Sequence, residues 1–570
     1  MSEAAEINFK LDGEALTARP GETVLQAALR HGRFIPHYCW HPGLSVAGNC
    51  RMCLCHVQPG PPKPAIACAT PVTEGMEVDS SSPRTQEARE GVLEFLLANH
   101  PLDCPVCDQA GECDLQQYSY DHGRSFSQFH EQKTRKHRKD FGPLVRFNGN
   151  RCIACTRCVR FCQEVTDTHE LTVIQRTEHA TIDVFPGVPL DNPLSGCTTD
   201  LCPVGALLET DSMHTTRVWL HRRTQSVCGG CATGCNINVE TYDDQVRRLT
   251  PRENHATNRW WMCDEGRLSH HEAKAADRLR EARVEGAAAG PDAALERAIE
   301  ALTGLDAGQL AVFTSAFATN EELFVLGALA DGGPLGVATR PAGATFATRD
   351  GFQISADKNP NRRGADLLAG AGATTAKAAG ALGAGRVKAL LVHDGVPGGA
   401  PWPAELIQAA KRLPTVVLSL TDTELARAAT VALPAQHWTE KDGTFVTGRG
   451  RVQRVRAATP PPGGARGDLE ALQEVARAAG HAPRVVSAGG VFRRLVAAHP
   501  ATFGDLSYRA IGVVGHPLPG AEDTTPPEAC RTGYEAGPVS RNPGRSRDEQ
   551  ARIPVHRESP VGYGTAGGNL

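Results

Sequence analysis

The sequence lacks long apolar runs and a strong charge of either sign. No window approaches the roughly 18 uninterrupted apolar residues of a membrane-spanning helix, and the N-terminus lacks the charged and apolar regions of a signal peptide. The net charge of -4 gives no bulk electrostatic reason to expect nucleic acid or anionic lipid as a partner. These absences predict a soluble cytoplasmic chain, whose 570 residues suggest roughly four domains.

Cysteine is also missing from one large region, between Asp264 and Ala529. Eighteen of the nineteen cysteines lie between Cys39 and Cys263, and Cys530 stands alone. An intracellular compartment keeps thiols reduced, so dense cysteines there indicate metal or redox chemistry rather than disulfides. The first half of the chain therefore predicts several metal or cluster sites, and the cysteine-free region has no thiolate to offer one.

The first cysteines follow a segment with the pattern of a β-grasp module. Residues 7–19 alternate apolar and polar positions on either side of Asp12 and Gly13, a dipeptide that suits a tight hairpin turn. Thr23 can cap a helix that ends at Gly32. A hairpin followed by a helix predicts this module.

Four thiols of the module have gaps of ten, two and fourteen residues: Cys39, Cys50, Cys53 and Cys68. Four thiolates suit a [2Fe-2S] centre, although the first gap is longer than the x4 gap of plant-type ferredoxins. Cys55 is left over, and we expect it to be a small packed hydrophobic residue rather than a ligand.

A helix is predicted between the first and second sets of metal-binding residues. Ser82 is a suitable N-cap, Pro83 fits the first helical position, and the helix ends near Asn99. Its apolar residues predict a buried stripe made of Val92, Leu93, Phe95, Leu96 and Leu97.

The second set combines one histidine with three cysteines: His100, Cys104, Cys107 and Cys113. These donors alone fit a structural zinc ion and a [4Fe-4S] cluster equally well, because both accept imidazole and thiolate. The position of the set between two iron–sulfur candidates favours the cluster.

The third set begins with RCIACTRCVRFC at 151–162, which has the C-x2-C-x2-C-x3-C spacing of bacterial ferredoxins. The proline that normally follows the fourth cysteine occurs instead after Cys202. A second run ending at Cys202 would need cysteines at positions held by Asn192, Ser195 and Thr198. The second cluster has therefore lost three ligands.

In two-cluster ferredoxins the fourth cysteine of each run binds the cluster of the other run. This exchange predicts one remaining [4Fe-4S] cluster, bound by Cys152, Cys155, Cys158 and Cys202. Cys162 would have served the lost cluster, and Cys197 misses the old ligand register by one residue. We expect both leftover cysteines to be packed and inert.

The fourth set comprises Cys228, Cys231, Cys235 and Cys263, with gaps of two, three and twenty-seven residues. Zinc ribbons generally use two C-x2-C pairs, whereas the second half of this set has a single cysteine. The spacing favours a third [4Fe-4S] cluster.

The cysteine-free region alternates short apolar runs with alanine- and glycine-rich helical patterns. QLAVFTS precedes ATNEELFVLGALA, and VKALLVHDG, AELIQAAKR and TVVLSL follow in that order. The repetition of strand, loop and helix predicts a doubly wound α/β domain with a parallel sheet.

Three other segments carry weaker signals. The basic run at 131–139 indicates a solvated loop, with a docking surface for an acidic partner as the alternative. The glycine-rich stretch at 370–377 lacks the Gly-Lys-Ser/Thr ending of a phosphate loop, so we do not expect nucleotide binding. Beyond about Pro526 the composition, rich in Pro, Gly, Arg and Ser, predicts disorder.

The order and spacing of the four sets resemble a known family. The strings GNCRMC, HPLDCPVCDQAGECDLQ, RCIACTRCVRFC and LCPVGAL are similar to those of the large iron–sulfur subunits of bacterial NADH:quinone oxidoreductase, respiratory complex I. This resemblance covers about the first 270 residues, and the ten-residue gap is usual in that family. Residues 429–453 resemble molybdopterin oxidoreductases.

The resemblance implies a multidomain α/β and α+β protein. Its segments are a β-grasp [2Fe-2S] ferredoxin domain at 1–82, a helical segment with the histidine-ligated [4Fe-4S] at 83–125, a split bacterial-ferredoxin-like domain with one [4Fe-4S] at 126–220, a [4Fe-4S] domain of Mo/W oxidoreductase type at 221–275, a doubly wound α/β relic domain at 276–525 and a disordered tail at 526–570. The relic domain has no cysteine for a metal, so no molybdopterin is expected.

The implied function is the relay of single electrons through one [2Fe-2S] and up to three [4Fe-4S] clusters, within a proton-translocating complex. No catalytic acid, base or nucleophile and no substrate site is expected on this chain. The implied partners are the flavin- and NADH-binding subunit, the ferredoxin-like iron–sulfur subunit that leads toward quinone, and other peripheral-arm subunits. The implied location is the cytoplasmic side of the cell inner membrane, peripheral and bound only through the complex.

Two other classes of protein remain as alternatives. The alpha subunit of an NAD-linked formate dehydrogenase, or a hydrogenase-like protein, would share the same front end, but a hydrogenase would need both ferredoxin runs intact. Bound molybdenum or tungsten would indicate the dehydrogenase. A zinc scaffold without redox function would contain zinc and no acid-labile sulfide.

Overall fold

The computed structural model of the chain describes residues 6–531 apart from 61, 178, 482–484 and 486. The N-terminal module is a five-stranded sheet in the order β2-β1-β5-β3-β4 with one helix. Its elements are β1 Ile7–Leu11, β2 Glu14–Ala18, α1 Val24–Arg30, β3 Leu54–Gln58, β4 Ala65–Ile66 and β5 Met76–Asp79. Strand β1 pairs antiparallel with β2 and parallel with β5, and α1 buries its apolar residues in the same core. This arrangement is the predicted β-grasp.

Local sequence signals explain the first turn and the first helix. Asp12 and Gly13 have φ values of 52° and 85°, the positive values that a two-residue hairpin turn of type I′ requires. The Oγ1 of Thr23 accepts from the N of Gln26 at 3.3 Å, and the N of Thr23 donates to Oε1 of Gln26 at 2.9 Å. Gly32, with φ 69°, follows the end of α1. The predicted hairpin and helix are confirmed.

The second segment consists of α2 Pro83–Ala98 and α3 Asp114–His122. The predicted start of α2 is confirmed, since Ser82 caps it. The predicted apolar stripe is wrong in part: Leu93 is buried, but Phe95 is 85% exposed. Successive helical residues are turned by about 100°, so Phe95 faces away from Leu93. The buried face is completed instead by Thr85 and Arg89.

The third and fourth segments contain short strands and helices around the remaining cysteines. The third has β6 Arg138–Asp140, β7 Val145–Asn148, α4 Arg157–Arg160, β8 Leu171–Ile174, β9 Thr181–Val184, α5 Cys197–Leu201 and β10 Leu207–Glu209. The fourth has β11 Arg222–Val227, β12 Asn236–Tyr242, β13 Gln245–Pro251 and α6 Asp264–Leu268. The sheets are β10-β7-β6, the hairpin β8-β9 and β11-β12-β13. One continuous hydrophobic core joins all four cysteine-containing segments.

The cysteine-free region forms a seven-stranded sheet in the order β15-β14-β22-β21-β20-β16-β17. Its elements up to the last sheet strand are β14 Ala282–Val284, β15 Ala287–Ala289, α7 Pro291–Leu302, β16 Leu310–Ser315, α8 Asn320–Ala330, β17 Leu335–Ala338, β18 Phe346–Ala347, β19 Gln353–Ile354, α9 Arg362–Ala365, α10 Thr375–Gly380, β20 Ala389–Asp394, α11 Ala404–Ala410, β21 Thr415–Ser419, α12 Glu424–Ala428 and β22 Val431–Pro434. Strands β22, β21, β20, β16 and β17 run parallel. The predicted doubly wound α/β fold is confirmed.

The rest of this region forms a small sheet, β23-β24-β25, and four α-helices. The elements are β23 Gly443–Val446, β24 Arg451–Val455, α13 Asp468–Ala478, α14 Ala488–Ala498, α15 Pro500–Phe503, α16 Tyr508–Ile511 and β25 His516–Pro517. Among the described residues, no helix is long and apolar enough to cross a membrane.

The C-terminal segment departs from its prediction at its start. Cys530 is fully buried, and its carbonyl accepts from the N of His255 at 2.9 Å. Its side chain packs with Ala256 and Val514, so this apolar contact orders the chain that the composition predicts to be disordered. The rest of the predicted tail, 532–570, lies outside the described residues.

Candidate iron–sulfur cluster sites

The four thiols of the first set meet in the loops beside β3 and β4. The thiols of Cys50 and Cys68 lower the pKa of Cys39, and Cys68 lowers the pKa of Cys53. The thiol of Cys39 therefore lies beside those of both Cys50 and Cys68, and the thiol of Cys53 lies beside that of Cys68. Four thiols gathered in this way fit the four ligands of a [2Fe-2S] centre. Cys55 is fully buried in the same hydrophobic core, where its Sγ donates to the carbonyl O of Cys53 at 3.6 Å and burial raises its pKa to about 12.

The second set lies in the loop between α2 and α3. Cys113 immediately precedes α3, and burial raises the pKa of its thiol. Cys107 is buried, whereas Cys104 is exposed. His100 and Cys107 both lie next to Arg151. Burial lowers the pKa of His100 to about 4, so its neutral ring can offer a lone pair to a metal.

The second set is seated against the loop that follows Cys202. A Cβ on Gly205 would lie 2.3 Å from the Sγ of Cys107, so only glycine permits this approach. Nearby, Nε of Arg151 donates to Oδ2 of Asp103 at 3.0 Å. The second and third sets therefore share one packed boundary.

The structure also brings the four thiols of the third set close together. Burial raises the pKa of Cys158, and so do four neighbouring thiols, those of Cys155, Cys152, Cys202 and Cys162. The Sγ of Cys152 accepts from the N of Ala154 at 3.4 Å. Burial raises the pKa of Cys202, and the nearby backbone N–H groups of Val204, Leu207 and Ala206 oppose that rise. Because N–H groups aimed at cysteine sulfur tune iron–sulfur centres, these contacts fit a cluster.

The leftover cysteines of the split ferredoxin motif face protein groups. Cys162 is fully buried in a π-helical turn that continues α4, and its thiol lies beside Glu170. The Nδ2 of Asn192, at a position where a second cluster would need cysteine, donates to Oε1 of Glu170 at 3.0 Å. The Sγ of Cys197 donates to the carbonyl O of Met262 at 3.2 Å. In the structure these two thiols therefore contact a carboxylate and a backbone carbonyl.

The fourth set lies where the segment at Cys228 closely approaches the segment at Cys263. The Sγ of Cys228 accepts from the N of Gly230 at 3.4 Å, and the Sγ of Cys263 accepts from the N of Gly266 at 3.3 Å. A Cβ on Gly266 would lie 3.1 Å and 3.3 Å from these two sulfurs. The thiol of Cys231 lies close enough to raise the pKa of Cys228 and that of Cys235. All four thiols therefore share one site.

The spacing of the donors distinguishes a cluster from a single metal ion. Among the described residues, no three donor atoms from any of the four sets all lie within 4.8 Å of one another. A zinc ion holds thiolates at about 2.3 Å, which places its sulfur atoms about 3.8 Å apart. A cluster instead spreads its ligands around several irons. The four sets therefore fit iron–sulfur clusters better than zinc.

Two arginines, Arg157 buried and Arg248 half-buried, connect the sets, and the spacing of the cysteines gives no sign of either. Arg157 donates Nη2 to the O of Trp40 at 2.6 Å and Nη1 to the O of Leu201 at 3.3 Å. It thereby joins the neighbours of a first-set and a third-set cysteine. Arg248 forms a two-pronged ion pair with Glu112, both contacts at 2.7 Å, and fastens the second set to β13.

The sequence matches five protein families in the order of these segments. They are described as 2Fe-2S iron-sulfur cluster binding domain at 4–83, NADH-ubiquinone oxidoreductase-G iron-sulfur binding region at 89–128, NADH-quinone oxidoreductase subunit 3, ferredoxin-like domain, at 142–208, Molybdopterin oxidoreductase Fe4S4 domain at 221–273 and Molybdopterin oxidoreductase at 398–478. Each of the first four encloses one candidate ligand set. The chain is thus a multidomain protein with ferredoxin-type iron–sulfur domains and a molybdopterin oxidoreductase-type domain.

The curated relatives of the chain belong to a narrower group than this class of proteins. An NADH-quinone oxidoreductase subunit of Rickettsia bellii is 38% identical over 324 residues, which are 56% of this chain and 47% of the relative. The mitochondrial NADH-ubiquinone oxidoreductase 78 kDa subunit of Neurospora crassa is 44% identical over 267 residues, 46% of this chain and 36% of the relative. The chain is a homologue of these oxidoreductase subunits, and the matched part spans less than half of their length.

A solved structure is also similar over part of the chain. It is an NAD+-reducing [NiFe]-hydrogenase in the H2-reduced state, 31% identical, covering 38% of this chain and 92% of that chain with a TM-score of 0.34.

Proposed function

We propose that this chain relays single electrons as the iron–sulfur subunit of an NADH:quinone oxidoreductase. Four donor sets, each inside one matched iron–sulfur domain and all joined by one hydrophobic core, carry this proposal. The proposed ligands are Cys39, Cys50, Cys53 and Cys68 for one [2Fe-2S] cluster, and His100, Cys104, Cys107 and Cys113, then Cys152, Cys155, Cys158 and Cys202, then Cys228, Cys231, Cys235 and Cys263 for up to three [4Fe-4S] clusters. When bound, such clusters supply one-electron oxidation and reduction.

The residues of the chain control these centres through burial and hydrogen bonds. Most of the proposed thiolates are buried or partly buried, and several accept backbone N–H groups. Solvent exclusion and N–H···S contacts are the means by which proteins set cluster potentials. The single imidazole, His100, is a neutral donor, so its centre should be easier to reduce than one with four thiolates.

The second set lies nearest to the surface, which bears on where a partner binds. Cys104 is exposed, and its neighbours Leu102 and Val106 are 90% and 61% exposed. Trp219, which is 60% exposed, contacts Gly111 of the same loop. Exposed apolar side chains grouped around a redox centre are typical of a protein–protein contact. This surface is the candidate contact with a partner redox subunit.

The proposed partners are the flavin- and NADH-binding subunit, the ferredoxin-like iron–sulfur subunit and other subunits of the peripheral arm. The proposed location is the cytoplasmic side of the inner membrane, with the membrane reached through the complex. Homology to subunits of a multisubunit oxidoreductase supports both statements.

For the α/β domain we propose a packing and scaffolding role without molybdopterin. In doubly wound sheets ligands bind at the carboxyl ends of strands where the strand order reverses, here between β16 and β20. At that end of β20, Asp394 is fully buried and accepts from Nε1 of Trp402 at 2.7 Å and from the N of Ala400 at 3.2 Å. The chain's own groups therefore occupy this edge.

The deciding experiment is a cluster count on the anaerobically purified chain. We expect iron and acid-labile sulfide for one [2Fe-2S] and up to three [4Fe-4S] centres, and distinct EPR signals after reduction. Zinc without sulfide would contradict electron relay altogether. Stoichiometric molybdenum or tungsten would favour the formate dehydrogenase alternative and contradict the scaffolding role.

A further inference from the structure

We propose that Asp211, His270 and His271 form a binding site for one Zn²⁺ ion, separate from the four cluster sites. Asp211 follows β10, and the two histidines lie in the 3-10 helix Ser269–Lys274 that follows α6. One ligand atom from each of the three side chains lies within 4.8 Å of the other two. Two imidazoles and a carboxylate are a donor set that zinc accepts with a fourth position left for water.

The hydrogen bond of His270 orients its ring for a metal. Its Nδ1 lies 3.1 Å from the carbonyl O of Arg267, and because a carbonyl can only accept, Nδ1 carries the proton. Burial favours the neutral ring, which then presents a lone pair on Nε2. A ligating histidine that donates its other N–H to a backbone carbonyl is the usual arrangement at metal sites.

The lone pair of His270 faces a carboxylate. Its Nε2 lies 3.7 Å from Oδ2 of Asp211, so in the neutral ring two electron-rich atoms face each other with no proton between them. A cation bound between them would satisfy both atoms. Among the described residues, the ion-pair contacts of Asp211 within 4.0 Å are those to the two imidazoles.

The third donor keeps the site accessible. The Nε2 of His271 lies 2.7 Å from Oδ1 of Asp211, and its side chain is 51% exposed. The two imidazole rings are 4.2 Å apart. A hydrated ion can therefore enter from the solvent and keep one water ligand.

A second group of three potential ligands has a similar geometry but is not a candidate metal site. Glu322, His393 and Asp468 also bring ligand atoms within 4.8 Å. There, however, Nζ of Lys441 lies 3.2 Å from Oε1 of Glu322 and 3.0 Å from Oδ2 of Asp468. This ammonium already supplies the cation, so that trio is an internal ion pair.

The location gives the zinc ion a structural role. Asp211 directly follows the ferredoxin-like match, which ends at 208, whereas His270 and His271 belong to the Fe4S4 match at 221–273. A bound ion would link the two segments just beyond α6, the helix that follows Cys263. The proposal needs only the fold, so it stands or falls separately from electron relay.

Zinc binding to the iron–sulfur-loaded chain tests the site. The protein is dialysed against increasing free Zn²⁺, and zinc and iron per chain are measured together with the EPR signals. We expect one zinc per chain, removable by a chelator while iron and EPR signals stay unchanged. We also expect zinc to raise the melting temperature, because a ligand that binds only the folded state stabilises it.

His271→Gln is the test variant. Because His271 is exposed, we expect the variant to fold normally, and an unchanged iron content will show that it does. We expect zinc affinity to fall about tenfold or more and the zinc-dependent rise in melting temperature to disappear. His169→Gln is the matched control, because His169 is 59% exposed and pairs with Asp167 at 3.0 Å. It should behave like the unaltered chain. Equal affinity in His271→Gln, no zinc bound, or zinc bound only as iron is lost would each overturn the proposal.

Discussion

Arg160 donates Nη2 to the carbonyl O of Cys39 at 2.5 Å, and the same nitrogen lies 3.4 Å from the carbonyl O of Cys155. One guanidinium therefore holds the backbone of a proposed [2Fe-2S] ligand and of a proposed [4Fe-4S] ligand. Burial lowers the pKa of Arg160, but an arginine keeps its charge in proteins. A fixed positive charge thus stands between two neighbouring candidate clusters.

Arg160→Met should destabilise the protein and lower the midpoint potential of the [2Fe-2S] centre. The change leaves the bound carbonyl groups unpaired, at a cost of about 1–3 kcal/mol each. It also removes a cation that favours the reduced, more negative cluster. A loss of about 1 kcal/mol in that attraction corresponds to ~40 mV for a one-electron couple.

Thermal unfolding and an EPR-monitored redox titration measure the two effects of Arg160→Met. Arg84→Met is the control, since Arg84 is exposed at the start of α2, and we expect it to change neither quantity. A lower melting temperature with an unchanged potential would restrict Arg160 to a structural role.

Cys202→Ser and Cys162→Ser should have opposite outcomes. Cys202 lies beside Cys152, Cys155 and Cys158, so its loss should remove one [4Fe-4S] signal. Cys162 lies beside Glu170, where a serine hydroxyl can still donate, so we expect every cluster to remain. EPR spectra and iron content decide the matter, and a cluster lost in Cys162→Ser would contradict the exchange of ligands between the two ferredoxin runs.

The sequence predicted those features whose physical cause is local. A turn that needs positive φ selects Asp12 and Gly13, and a helix start selects Thr23, so both are readable from a few residues. The spacing of cysteines is also a local signal. Cys202 lies far from the other ligands of the third set, and it could be assigned only because a proline follows it, as in the ferredoxin motif. The strand and helix periodicity of the α/β domain is of the same kind.

Features that depend on contacts between residues far apart in the sequence were either not predicted or predicted wrongly. Arg160 meets Cys39 across 121 residues, and Gly205 meets Cys107 across a boundary between segments. In a single sequence, Arg160 cannot be distinguished from an arginine on the surface, and Gly205 cannot be distinguished from a glycine in any loop. Phe95 was expected in the buried stripe because it is apolar, and Cys530 in a disordered tail because the composition beyond about Pro526 is rich in Pro, Gly, Arg and Ser. Burial in both cases is decided by the surface that the rest of the fold presents.

Gly205→Ala should remove the histidine-ligated cluster and leave the others. The new Cβ would lie 2.3 Å from the Sγ of Cys107, and because the nearest atom belongs to a proposed ligand, relief requires that ligand to move. Iron content should fall by one [4Fe-4S] cluster, with loss of one EPR signal.

Gly91→Ala is the matched control for Gly205→Ala. Gly91 lies within α2, and a Cβ there would meet nothing within 4 Å, so alanine should be neutral or stabilise the helix by roughly 0.5–1 kcal/mol. A full set of clusters in Gly205→Ala would mean that the loop yields and that the contact does not position Cys107.

Lys441→Met should destabilise the α/β domain much more than Lys411→Met. Lys441 is buried between Glu322 and Asp468, and removing one partner of such a pair costs about 3–5 kcal/mol because charge is left unpaired. Lys411 and its partner Glu424 are 46% and 63% exposed, and exposed pairs contribute about 0–1 kcal/mol. Melting curves should separate the two variants by roughly 10 °C.

The pH dependence of the same network has a definite sign. Burial alone would raise the pKa of Asp468, but the charge of Lys441 and the hydrogen bond to His393 lower it to about 2. A depressed carboxyl pKa stabilises the fold fully above its ordinary value near 3.8 and loses that contribution as the pH falls toward 2. Lys441→Met removes the attraction, so it should flatten the fall in melting temperature between these pH values. An equally steep fall in the variant would show that Lys441 does not stabilise the ionised carboxylate.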